Sequence, residues 1–190
     1  MPRSDDEKTF VLDHVIPQRL HALYALTISI DIRGAKDPAD DGRFSLAING
    51  KTRAEGNAAG VIDPWLEIGI VHGRALLEFL GLWESNGRLT ERQRGRPNDW
   101  RLTDFDLPSV TPAQAIASYA GGADEAEQSL VSIMVFANRA IAHITEPVDP
   151  ERFGSHHLQI ACRGIYALIA RYLYTPLERE APDFYFRRNA

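Results

Sequence analysis

The run "DPWLEIGIVHGRALLEFLGLW", residues 63–83, constrains this chain more than any other stretch. Asp63 suits an N-cap and Pro64 the first helical position, while Leu66, Ile70, Leu77 and Leu80 recur at helical spacing. Gly81 follows as a stop. Gly69 and Gly73 fall on or beside the apolar stripe, where a missing side chain lets a second backbone approach closely. Such a helix has to be packed against a neighbour, so the chain is committed to building a helical core.

The same period governs most of the remaining sequence. Leu20, Leu23, Leu26 and Ile30 mark one face of a helix that ends near Gly34. Pro17 sits in its first turn, or kinks a longer helix that starts near Lys8. Thr111 and Pro112 open a short helix that stops at Gly121-Gly122. Two longer helices are predicted at roughly 124–144 and 155–174, separated by Pro147 and Pro150. The fold expected is therefore all-α, a bundle of four main helices plus one short helix. Long loops are expected at about 35–58 and 85–110. Within the first, "FSLAINGKTRA" is compatible with a hairpin about Asn49-Gly50. The second is expected to be solvated and mobile; it carries Arg88, Arg92, Arg94, Arg96 and Arg101 with Trp100, a composition that could also grip nucleic acid.

With 190 residues, 44% of them hydrophobic, the chain can form one domain over 1–190 with a real core. Residues 1–8 and 178–190 are expected to be peripheral, the tail tacked down by Phe184, Tyr185 and Phe186. A net charge of −5 supplies no global field toward nucleic acid or acidic membranes. Cys162 is the single cysteine, which excludes an intrachain disulfide, and its apolar neighbours predict a buried thiol. The acidic N-terminus does not resemble a secretory signal, and no apolar run is long enough to span a bilayer. A cytoplasmic, soluble protein with no membrane partner is expected. None of the six histidines stands at metal-ligand spacing, so no metal and no cofactor are expected.

One polar constellation interrupts the apolar pattern. "FANRAIAHIT", residues 136–145, places Asn138, Arg139 and His143 inside an otherwise apolar helix. Leu130, Ile133, Met134, Ala137, Ile141 and Ile144 form its core side, and Arg139 and His143 project from nearly the opposite side. Val131, Val135 and Phe136 flank them, so a second covering surface is expected, either another helix of the chain or a symmetric partner. His143 as acid/base and Arg139 as phosphate clamp, assisted by Asn138, could cleave RNA without a metal. Equally, Arg139 could pair with Glu67 or Glu78 while His143 caps a carbonyl. Glu67, Arg74 and Glu78 share a face of the earlier helix, with Arg74 and Glu78 spaced for an ion pair. Alternatively Arg74 faces Arg139 and His143 across a groove and adds a second cation for a phosphate.

The residues "NRAIAH", 138–143, resemble the motif of the HEPN superfamily (higher eukaryotes and prokaryotes nucleotide-binding domains), commonly R-N-x-x-x-H. "HGRALLEFLGL", 72–82, is similar to an earlier helix of those proteins, and the resemblance spans about residues 60–175. It implies a helical bundle that dimerises and, in many members, cleaves RNA. Here Asn138 stands where the motif has Arg, and Arg139 where it has Asn. The altered order favours a non-catalytic protein acting through homodimerisation or partner binding, with a metal-independent RNase using Arg139 and His143 as the alternative.

Overall fold

The computed structural model describes residues 3–34, 42–93, 95–141 and 154–183, of which 139–141 are described by their backbone alone. Helix α1 (Asp5–Phe10) starts at a capping box in which Ser4 and Glu7 each bond the other's backbone N–H. It continues without a break through a π-helical turn, Val11–Val15, into α2 (Ile16–Gly34). The wider turn lies just ahead of Pro17, whose ring would otherwise collide with the carbonyl four residues back. The helix therefore begins at Asp5, earlier than either start read from the sequence.

Two hairpins correct the all-α expectation. Strands β1 (Arg43–Ile48) and β2 (Lys51–Asn57) pair antiparallel, as do β3 (Leu82–Ser85) and β4 (Arg88–Glu91). Both turn on an Asn-Gly pair with positive φ: 52° and 72° at Asn49 and Gly50, 54° and 77° at Asn86 and Gly87. Two consecutive left-handed residues match the twist of paired strands, and Asn-Gly adopts them at least cost. The structure thus combines helices with two small antiparallel sheets. The β1–β2 hairpin occupies most of the described part of the expected 35–58 loop; residues 35–41 lie outside the described residues.

Helix α3 (Ala59–Leu80) begins four residues before Asp63, so Asp63 and Pro64 lie inside it and are not its cap. Asn57 accepts a bond from the Ala59 N–H at the start, and Asp63 pairs instead with Arg33 at the end of α2. Gly81, at φ 93°, closes the helix as expected. A 3-10 turn (Leu102–Phe105) follows the second hairpin, then α4 (Pro112–Ala117) with a Thr111–Gln114 capping box. Helix α5 (Ala123–Val135) passes into a π-helical segment, Phe136–Ile141. Helix α6 (Ser155–Ile169) ends in another, Ala170–Tyr174.

One cluster of buried side chains joins these elements. Leu20, Leu23 and Leu26 of α2 meet Ile70, Leu76 and Leu77 of α3, with Ile133, Ile165 and Leu168 from α5 and α6. The described part of the expected second loop is packed against the core. Leu82, Leu89, Leu102, Phe105 and Val110 are all buried, and Phe105 packs edge-on against Phe79 at 6.0 Å. Leu82 and Leu89 lie against α5, whose Glu127 carboxylate is buried with them and accepts the Leu89 N–H at 2.9 Å. Val131 and Val135, expected to be covered by another helix or by a symmetric partner, are 1% and 6% exposed, so the chain itself covers them. No described helix is long and apolar enough to cross a membrane.

The segment after the last helix is tied back to the helices. Tyr174 donates to the Leu12 carbonyl at 2.7 Å, Arg179 pairs with Asp13 at 2.6 Å, and Tyr166 donates to the Pro182 carbonyl at 3.0 Å. Phe184, Tyr185 and Phe186 lie outside the described residues.

The α2–α3 seam answers the glycine pair. A Cβ on Gly69 would fall on the Leu26 Cβ and 2.7 Å from the Ala22 carbonyl oxygen; one on Gly73 would lie 3.2 Å from Ile133. Beside the seam, Arg19 donates to His72 Nδ1 at 3.1 Å. Burial first, and then the Arg19 charge, hold His72 below its ordinary value of 6.5, so the ring stays a neutral acceptor. Gly69→Ala should lower stability by about 1–3 kcal/mol, the usual cost of overpacking a close contact. Gly60→Ala, where a Cβ meets nothing within 4 Å, should stabilise the helix by about 0.5–1 kcal/mol. Urea unfolding of the two variants checks both signs.

Candidate functional site

The last two turns of α3 carry Arg74 and Glu78 on one side, four residues apart. Arg74 Nε donates to Glu78 Oε1 at 2.6 Å, the ion pair expected from their spacing. The Arg74 Nη1 reaches further and donates to Asn138 Oδ1 at 2.5 Å. Asn138 lies in the π-helical segment after α5, where the turn is wider than in an α-helix. Positions stepped at α-helical spacing along 136–141 are therefore rotated from those read off the sequence, and Asn138 faces α3. Above this pair, the Arg74 guanidinium lies 5.2 Å from the Trp83 ring centroid, over an indole held by β3.

Glu78 has a second partner. Its Oε2 lies 2.8 Å from Arg92 Nη2, and the same nitrogen pairs with Asp99 Oδ2 at 2.6 Å. Asp99 Oδ2 also accepts the Arg96 N–H at 3.0 Å, closing a turn in the chain. A ladder results: Asn138, Arg74, Glu78, Arg92, Asp99. It links α3 to the π-segment on one side and to the arginine-rich segment on the other. The side chains of Arg92 and Glu78 are only 11% and 18% exposed, so these charges sit where an unpaired neighbour would be costly. Burial pushes the Asp99 carboxyl up, but the bonds from Arg92 and from the Arg96 N–H outweigh it and leave the group below its ordinary 3.8.

Four members of the ladder, Arg74, Glu78, Arg92 and Asp99, line a cleft of about 910 Å³ between the end of α3, the β3–β4 hairpin and the described residues of 92–99. Trp83, Thr90, Gln93 and Arg96 form much of its wall. Of the residues singled out from the sequence, Arg74, Glu78 and Asn138 come together here. Glu67 does not join them; it is exposed, about two turns before Arg74 on α3. The Arg139 side chain and His143 lie outside the described residues. Arg92 and Asp99 were read as parts of a solvated loop, whereas they are the ladder's second half. The signal for them was local: Pro97-Asn98-Asp99 is a turn sequence, and a turn after Arg96 brings the arginines back toward α3.

Two other groups behave as simple packing predicts. Cys162 is buried and its thiol is pushed up to about 12 by desolvation, which makes it a poor nucleophile. His156 pairs with Glu125 at 2.9 Å at the start of α6. Among the described residues, no group of three or more His, Cys, Asp or Glu side chains converges as a metal site would require.

Comparison of the chain with protein-family models, with curated proteins and with solved structures finds no match in any of the three. The resemblance to the HEPN superfamily therefore rests on the quoted residues alone. Glu78→Gln should keep the shape but aim an amide NH₂ at one guanidinium and remove the charge between two. A loss of about 2 kcal/mol follows from hydrogen bonds to charged groups. Glu67→Gln, on an exposed face, should change stability by less than about 0.5 kcal/mol. Thermal unfolding of the two variants separates these outcomes.

Proposed function

We propose that the protein works by association through an exposed apolar surface, with a second copy of the chain as its partner, and is not a catalyst. The observation that carries this reading is the outward side of α3. Trp65, Ile68 and Val71 follow one another at a spacing of three and are 40%, 48% and 44% exposed. Three large apolar side chains in a row on the solvent side of a helix are a recognition feature, since scattered single residues are what an inert surface carries. Leu46 and Ile48, both exposed on β1, add a second apolar element on the hairpin that leads into α3.

The state of the ladder supports the same reading. Arg74, which reaches Asn138 of the motif, is committed to Glu78 and Asn138, and a guanidinium so engaged is a weaker phosphate clamp than a free one. The nuclease alternative rests on Arg139 and His143, and the described residues supply no support for it. The surface expected at Val135 and Phe136 is replaced in this proposal by Trp65, Ile68 and Val71, because Val135 is buried within the chain.

Light scattering coupled to gel filtration tests the proposal. At micromolar concentration the wild-type chain should run as a dimer, and Ile68→Glu should give a folded monomer with an unchanged helical circular dichroism spectrum. A wild-type monomer, or a dimer indifferent to Ile68→Glu, would sink it.

A further inference from the structure

Both faces of the β1–β2 hairpin are open. Every residue from Ser45 to Glu55 is exposed, and only Phe44 and Gly56, which are partners in the register, are half-buried. The two strands pair with each other and, among the described residues, with no third strand. A two-stranded ribbon with water on both sides is marginal by itself and gains its stability from a further surface that covers it. Leu46 and Ile48, 47% and 50% exposed, are the side chains such a surface would bury. The ribbon is also basic: Arg43, Lys51 and Arg53 stand against Glu55 alone, in a chain of net charge −5. The outward side of α3 has the opposite sign. No lysine or arginine occurs from Ala59 to Gly73. Glu67 is exposed there with Trp65, Ile68 and Val71, while Asp63 is already taken by Arg33. Among the described residues, Lys51, Arg53 and Glu67 form no ion pair.

We infer that the β1–β2 hairpin of each copy docks on the α3 face of the other. Leu46 and Ile48 meet Trp65, Ile68 and Val71, and Lys51 and Arg53 lie toward Glu67. The inference rests on the association proposed above and names the element that occupies the α3 face. The hairpin does not cover the α3 face of its own chain, since both remain exposed. One chain carries both halves of the contact, an apolar basic ribbon and an apolar acidic helix face. Reciprocal exchange between two copies therefore satisfies both halves twice and closes a two-fold dimer. Opposite charge beside the apolar contact sets its register and disfavours pairing of two basic hairpins with each other.

Sedimentation equilibrium of the full chain over a dilution series tests it by charge exchange. Reversing the hairpin with Lys51→Glu and Arg53→Glu together should raise the dimer dissociation constant at least about tenfold. Glu67→Lys alone should weaken the dimer as well, and it keeps the test decisive if the reversed hairpin does not form. Adding Glu67→Lys to the reversed hairpin should bring the constant back to within about threefold of the wild type, because the pairing is restored with its signs exchanged. All three positions are exposed, so the helical circular dichroism spectrum should not change. A dimer that Ile68→Glu breaks but the reversed hairpin leaves intact would overturn this inference and leave the association standing. Losses in the hairpin variant that Glu67→Lys does not recover would also overturn it, since the hairpin would then grip another surface. A wild-type monomer would remove both proposals together.

Discussion

The Glu78 carboxylate is the contact on which the upper half of the structure depends. One oxygen holds Arg74 of its own helix, and the other holds Arg92 from a segment with no regular structure. Through Arg74 the carboxylate also reaches Asn138, and through Arg92 it reaches Asp99. Two parts of the chain distant in sequence, the π-segment and the arginine-rich segment, are thereby fixed to the end of α3. A part-buried charge makes this arrangement specific, since an ion stripped of water and left without a partner costs several kcal/mol. Either neighbour can take its place only if the carboxylate is there.

This constraint works alongside two that are apolar. Gly69 and Gly73 let α2 and α3 pack closely, and Leu82 and Leu89 anchor the second hairpin against α5. Buried polar groups on α5 are satisfied locally: Ser129 and Ser132 return their hydroxyls to carbonyls one turn back, at 2.7 and 2.6 Å. That is how a helix can be buried around most of its circumference within one chain. The covering surface anticipated beside Val131 and Val135, from another helix or from a symmetric partner, is supplied within the chain for this reason.

The helices were legible because their period is long and their stops are chemically distinct. Gly81 and the Thr111-Pro112 start stand where the residues placed them. The start of α3 was misplaced by a real signal, Asp63-Pro64, which tertiary pairing with Arg33 diverts from capping. The second hairpin was also written in the sequence, since Asn86-Gly87 is the same turn dipeptide as Asn49-Gly50. Its four-residue strands are too short for alternation to register, and the surrounding arginines suggested a loop. The candidate site was half legible. Arg74 and Glu78 follow from helical spacing, but their meeting with Asn138 depends on a π-helical turn, and that with Arg92 on a long-range approach. Neither leaves a periodic trace.

A double-mutant cycle between Glu78 and Arg92 bears most directly on this account. Unfolding free energies of Glu78→Gln, Arg92→Gln and the double variant isolate the energy the two side chains share. A coupling of at least about 1 kcal/mol is predicted for a part-buried, directly bonded pair. Additive losses, with no coupling beyond error, would show that the carboxylate does not join the arginine-rich segment to α3 and would contradict the account.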